Sequence, residues 1–108
     1  MRTVMLRSRD LTVLRNIVRR YTAVRQARIF GSRAAGAARR ASDVDLAISA
    51  PDMSVAEWHD LCEALENAPI IYELDIVREE EVSNERLREA IRQDGVVIYQ
   101  SNDADLRG

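Results

Sequence analysis

Residues 29–48, IFGSRAAGAARRASDVDLAI, decide how this chain is read. An apolar approach over Ala27–Phe30 runs into Gly31-Ser32, which predicts a strand ending in a tight turn, because glycine tolerates the backbone angles a turn needs. Ser32 is then placed as an N-cap, and the Ala/Arg-rich residues behind it predict a short helix to about Ala38. Its first amides and positive dipole end would form a phosphate cradle. Ten residues separate Ser32 from Asp43, and Ser42–Ser49 alternates by twos. Val44, Leu46 and Ile48 fall on one face, Asp43, Asp45 and Ala47 on the other. Two carboxylates on one strand face repel each other unless a cation lies between them, and hard oxygen ligands favour a hard cation such as magnesium. A phosphate cradle beside paired carboxylates is what metal-assisted phosphoryl or nucleotidyl transfer requires.

Outward from that stretch the pattern is one of alternating helices and strands. Leu11, Leu14, Ile17, Val18 and Tyr21 form a helical stripe that predicts a first helix over Asp10 to about Val24, with Arg15, Arg19 and Arg20 outward. Ser54-Val55-Ala56-Glu57 fits a capping box and opens a helix to about Asn67 that should bury Val55, Trp58, Leu61, Cys62 and Leu65. His59 lies among its acids and reads as a solvated surface residue, and Cys62 reads as core. Ile70–Val77 is a third strand in which Asp75 is embedded in an apolar run, with Glu73 on the same face. A carboxylate there is costly unless it is paired or holds a cation. Val82 to about Gln93 is a further helix with Leu87, Ala90 and Ile91 inward and Gly95 as its stop, and Val96–Tyr99 a terminal strand. The expected fold class is α/β (α+β), a small mixed sheet flanked by helices. Residues 1–100 are expected to form a single domain and 101–108 a disordered tail.

The chain has 108 residues and a net charge of −2, distributed unevenly. Residues 1–40 carry eleven arginines and one acid, residues 41–108 five arginines and seventeen acids. Such asymmetry suggests one face built for an anion, although solvated helix faces account for most of the individual arginines. One cysteine rules out an internal disulfide and suits a reducing cytosol. No run is long enough to span a bilayer, and the Arg-rich start only faintly imitates a transit peptide, so a cytoplasmic location is expected.

Gly31-Ser32, ten residues and Asp43-Val44-Asp45, within GSRAAGAARRASDVDL, resemble the signature of the DNA polymerase β-like nucleotidyltransferase superfamily. They are most similar to its minimal nucleotidyltransferases (MNT), the antitoxins of HEPN/MNT toxin–antitoxin pairs. The resemblance implies the nucleotidyltransferase fold, a third carboxylate at Asp75 with Glu73 as fallback, and Asp43, Asp45 and Asp75 as catalytic metal ligands for two Mg2+ ions. It implies ATP as substrate, with Gly31, Ser32 and Arg33 binding its phosphates and Arg39 or Arg40 assisting. The implied reaction is transfer of AMP to a tyrosine of a partner HEPN ribonuclease toxin, which silences it. Ala35 and Ala37 depart from the commonest form of the motif, where an arginine and a polar residue are frequent. Neither position is a metal ligand.

Other readings of the same residues stay open. Gly-Ser can be a plain turn, and the two aspartates can protect an exposed sheet edge. The functional alternatives are a non-catalytic antitoxin that masks its toxin and the catalytic subunit of a two-component small-molecule nucleotidyltransferase. A direct nucleic-acid substrate is not expected of a net-acidic chain with no second basic domain to hold a primer.

Overall fold

A computed structural model describes residues 6–31 and 43–101. Helix α1 (Ser8–Arg19) leads into β1 (Gln26–Phe30), followed by β2 (Asp43–Ser49), α2 (Val55–Glu66), β3 (Glu73–Arg78), a 3-10 turn over Glu79–Glu81, α3 (Glu85–Asp94) and β4 (Val96–Gln100). The strands form one sheet in the order β3-β2-β1-β4. β1 is antiparallel to β2 and to β4, whereas β2 and β3 are parallel, as a strand pair joined through a crossover helix can be. The expected mixed sheet with flanking helices is therefore the observed fold.

Alternation along the strands divides the core in two. Ala27, Ile29, Val44, Leu46 and Ile48 join Leu14, Val18, Leu61 and Leu65 in the larger cluster under α1 and α2. Phe30 and Ala47 face the other way and pack on Ile91, with Val77, Val82 and Leu87 around them. Each of the large fully buried side chains contributes about 1.5–3 kcal/mol, so the layer under α1 and α2 dominates stability. At the β1–β4 pairing the register slips between Ala27, opposite Tyr99, and Arg28, opposite Val97, leaving Ile98 as a bulge. Arg15 on α1 donates from Nε to the Ile98 carbonyl at 2.7 Å and fixes that bulge to the helix. No helix among the described residues is long and apolar enough to cross a membrane.

Several boundaries differ from those expected. α1 ends at Arg19, not near Val24: the amides of Arg20 and Tyr21 close back on Ile17 and Val18, and Arg25 already bonds to Ser49 beside the sheet. The capping box of α2 forms as read, the Glu57 amide donating to Ser54 Oγ at 3.1 Å, but Val55 is 67% exposed because the first turn overhangs the core. Cys62 is half-buried. β3 begins at Glu73, not Ile70, in parallel register with Asp43 of β2. The last helix begins at Glu85, not Val82, since the Asn84 side chain accepts from the Leu87 amide at 3.1 Å and sets the start. The expected short helix over 32–38 and the tail from 102 lie outside the described residues.

Candidate functional site

Three strand ends meet at one edge of the sheet. β1 ends at Phe30 opposite Asp45 of β2, and Asp45 stands beside Asp75 of β3. Register partners share a face, so Phe30, Asp45 and Asp75 form a row on the face carrying α3. Neighbouring strands are about 4.8 Å apart, so the two carboxylates rise from adjacent positions. Asp45 is half-buried and Asp75 exposed, with Glu73, also exposed, one step further along the same face of β3.

The turn after β1 closes on this pair. Gly31 has φ +73°, the left-handed region where a side chain is strained, and a Cβ built on it would collide with Oδ2 of Asp45. Glycine is thus required twice, for the bend and for the close approach of backbone to carboxylate. Gly31 and Asp45, fourteen residues apart in sequence, meet at one point in space.

Among the predicted site residues, Gly31, Asp45 and Asp75 are brought together. Asp43 opens β2 in register with Glu73, but its side chain, like all of Ser32, Arg33, Arg39 and Arg40, lies outside the described residues. Among the described residues no three metal-ligating side chains stand together; Asp45 and Asp75 are register neighbours on adjoining strands. That donor set still fits a divalent ion: both side chains offer hard oxygens, and like charges on adjoining strands are unfavourable without a cation between them.

Comparison with known proteins bears on the same residues. The family described as "Polymerase beta, Nucleotidyltransferase" matches residues 13–104, a span that contains all four strands. This chain is a polymerase beta-type nucleotidyltransferase. A search of curated proteins finds no match. Among solved structures, the nucleotidyltransferase resembles a toxin–antitoxin crystallised with AMP-PNP, with TM-score 0.68, 20% identity, and coverage of 89% of this chain and 78% of that one. It also resembles the toxin–antitoxin MntA-HepT, with TM-score 0.65, 16% identity, and coverage of 93% and 79%. At these identities the likeness is one of fold.

The remaining reactive groups of the nucleotidyltransferase lie elsewhere. His59 is exposed on α2. Burial, and next the charge of Glu66, push the Cys62 thiol up, so it is a poor nucleophile at neutral pH. One buried acid was not foreseen. Asp10, in the first turn of α1, is fully buried and bonds to Arg7. Its only sequence signal was that it is the sole acid among the first 40 residues.

Proposed function

We propose that this nucleotidyltransferase is a magnesium-dependent antitoxin enzyme that moves AMP from ATP onto a tyrosine of a partner HEPN ribonuclease toxin. The observation that carries the reading is the adjacency of Asp45 and Asp75 beneath the Gly31 turn. Family membership supports nucleotidyl transfer, and the shared fold of toxin–antitoxin complexes, one of them with AMP-PNP, supports the partner and the nucleotide.

Asp43, Asp45 and Asp75 would hold the magnesium, which supplies charge neutralisation for the triphosphate and the developing negative oxygens. Gly31 brings backbone close to the phosphates, while Ser32 and Arg33 bind the β and γ groups. The tyrosine oxygen forms a bond to the α-phosphorus as the α-phosphorus–oxygen bond to pyrophosphate breaks. Asp75, exposed on the outer strand, would complete the metal site for the attacking phenol or take its proton. The chain acts in the cytoplasm as one catalytic domain and takes its acceptor from the partner.

The test is incubation of the protein with α-labelled ATP, magnesium and the product of the neighbouring reading frame. Label on a tyrosine of that product, lost on chelation, is the expected result. Toxin neutralised without label would make this a masking antitoxin, and label in a small molecule would make it a two-component transferase.

A further inference from the structure

A cleft of about 170 Å3 is lined by Glu79 and Glu80 from the 3-10 turn and by Arg88 and Arg92, one helical turn apart, from α3. Glu79 follows the last residue of β3 and Asp75 is near its first, so the cleft is at the other end of that strand from the carboxylate row. Its charges are unevenly satisfied. Glu80 is committed, accepting from Ser49 Oγ and, at 2.9 Å, from the Ala50 amide. Glu79 is not: its Oε1 stands 3.5 Å from Nη1 of Arg28 on β1, an ion pair in which Nη1 has no hydrogen-bond partner, and its Oε2 is buried with none. Of the three buried side-chain nitrogen and oxygen atoms without a partner among the described residues, two belong to this pair. The Glu79 side chain is 25% exposed, so its carboxylate is partly buried yet open to the cleft it lines. Arg88 and Arg92 enter none of the ion pairs among the described residues, although both line the cleft with the two glutamates.

Buried polar groups almost always find a partner, and opposite charges that share a cleft without pairing leave both walls in want of one. Two arginines at i and i+4 repel each other slightly on a helix, and an anion held between them removes that penalty. Their guanidinium forks suit a carboxylate, whereas the Glu79 carboxylate can only accept and needs a donor. Volume sets the scale of the ligand: a cavity of about 150 Å3 holds a benzene-sized molecule, and drug-sized ligands fill about 300 Å3 or more. We propose that the cleft is a second ligand site, for a small zwitterion of the α-amino-acid class, its carboxylate received by Arg88 and Arg92 and its ammonium by Glu79. A nucleoside triphosphate is too large for it and would set its phosphates against two glutamates. A simple anion would satisfy the arginines and leave Glu79 without a donor.

Titration of the isotope-labelled chain with L-alanine, a zwitterion about the size of benzene, decides the matter, with acetate and methylammonium as half-ligands at equal ionic strength. The expected result is a saturable shift of the amides around Glu79, Glu80, Arg88 and Arg92, with each half-ligand needing about tenfold more or higher for half-saturation. Glu79→Gln should raise the L-alanine midpoint about tenfold and leave that for acetate nearly unchanged, whereas Arg88→Gln should raise both. Arg88 is exposed on α3, so its variant keeps the test available if Glu79→Gln fails to fold. No saturable response to L-alanine would overturn the site. Acetate saturating at the same concentration as L-alanine would overturn the zwitterion and leave an anion site in its place.

Discussion

The two ends of the sheet use their charged residues in opposite ways. At the end where β2 and β3 finish, charge is spent on backbone. Arg78 donates from Nη2 to the carbonyls of Ala50 and Met53, both at 2.7 Å, and stacks over the Trp58 ring. Glu80 accepts from Ser49 Oγ and, at 2.9 Å, from the Ala50 amide. At the end where they begin, Glu73 and Asp75 face water, and Asp45 lies against the Gly31 backbone. One end ties down a loop, and the other holds the carboxylates proposed to meet a cation and nucleotide.

Substitutions that respect or break this division test it. The largest effect is expected from Asp45→Asn/Asp75→Asn, which should slow nucleotidyl transfer about a thousandfold or more while leaving the far-UV spectrum unchanged. Transfer at the wild-type rate would erase the distinction between the ends. Gly31→Ala should slow transfer about tenfold to a hundredfold, because the new methyl displaces the Asp45 carboxylate, and should cost about 1–3 kcal/mol in backbone strain, read by urea denaturation. Arg78→Met is the mirror experiment. It leaves two carbonyls at the opposite end without their donor and should destabilise by about 2–4 kcal/mol, while the turnover number below the melting transition stays unchanged. A fall in turnover with stability intact would mean that the two ends are coupled.

The smallest effect concerns pH. The Tyr21 hydroxyl donates to Asp60 at 2.7 Å, a bond that only the neutral phenol makes, and this bond, with burial second, pushes the phenol up. The resulting stability is complete below the ordinary tyrosine value of about 10 and is lost as pH climbs through the raised one. Tyr21→Phe should therefore show a shallower alkaline loss of stability than the wild type in melts between pH 9 and 11.

Features that depend on local pattern were legible. The period-two run Val44–Ile48 fixed which face of β2 meets the larger cluster, and the Ser54–Glu57 pair marked the start of α2. Features set by tertiary partners were not. Nothing in Ile70–Tyr72 distinguishes it from strand, yet β3 begins only at Glu73. Asn84 was a usable cap signal, obscured by the apolar Val82 two residues before it. For the site, the face of Asp75 was readable from alternation, but its pairing with Asp45 is a register between strands joined through α2, and no local spacing encodes that. The burial of Asp10 was hidden for the same reason, since tertiary packing sets it and no local pattern does.

The strand order carries a consequence of its own. Because Asp75 rides on the border strand, beyond which the sheet has no further member among the described residues, one flank of the proposed reaction centre is a coastline. A donor half of the proposed kind would set the chemistry and leave the choice of recipient to whatever moors alongside, so recipients could change over evolutionary time without disturbing the carboxylates.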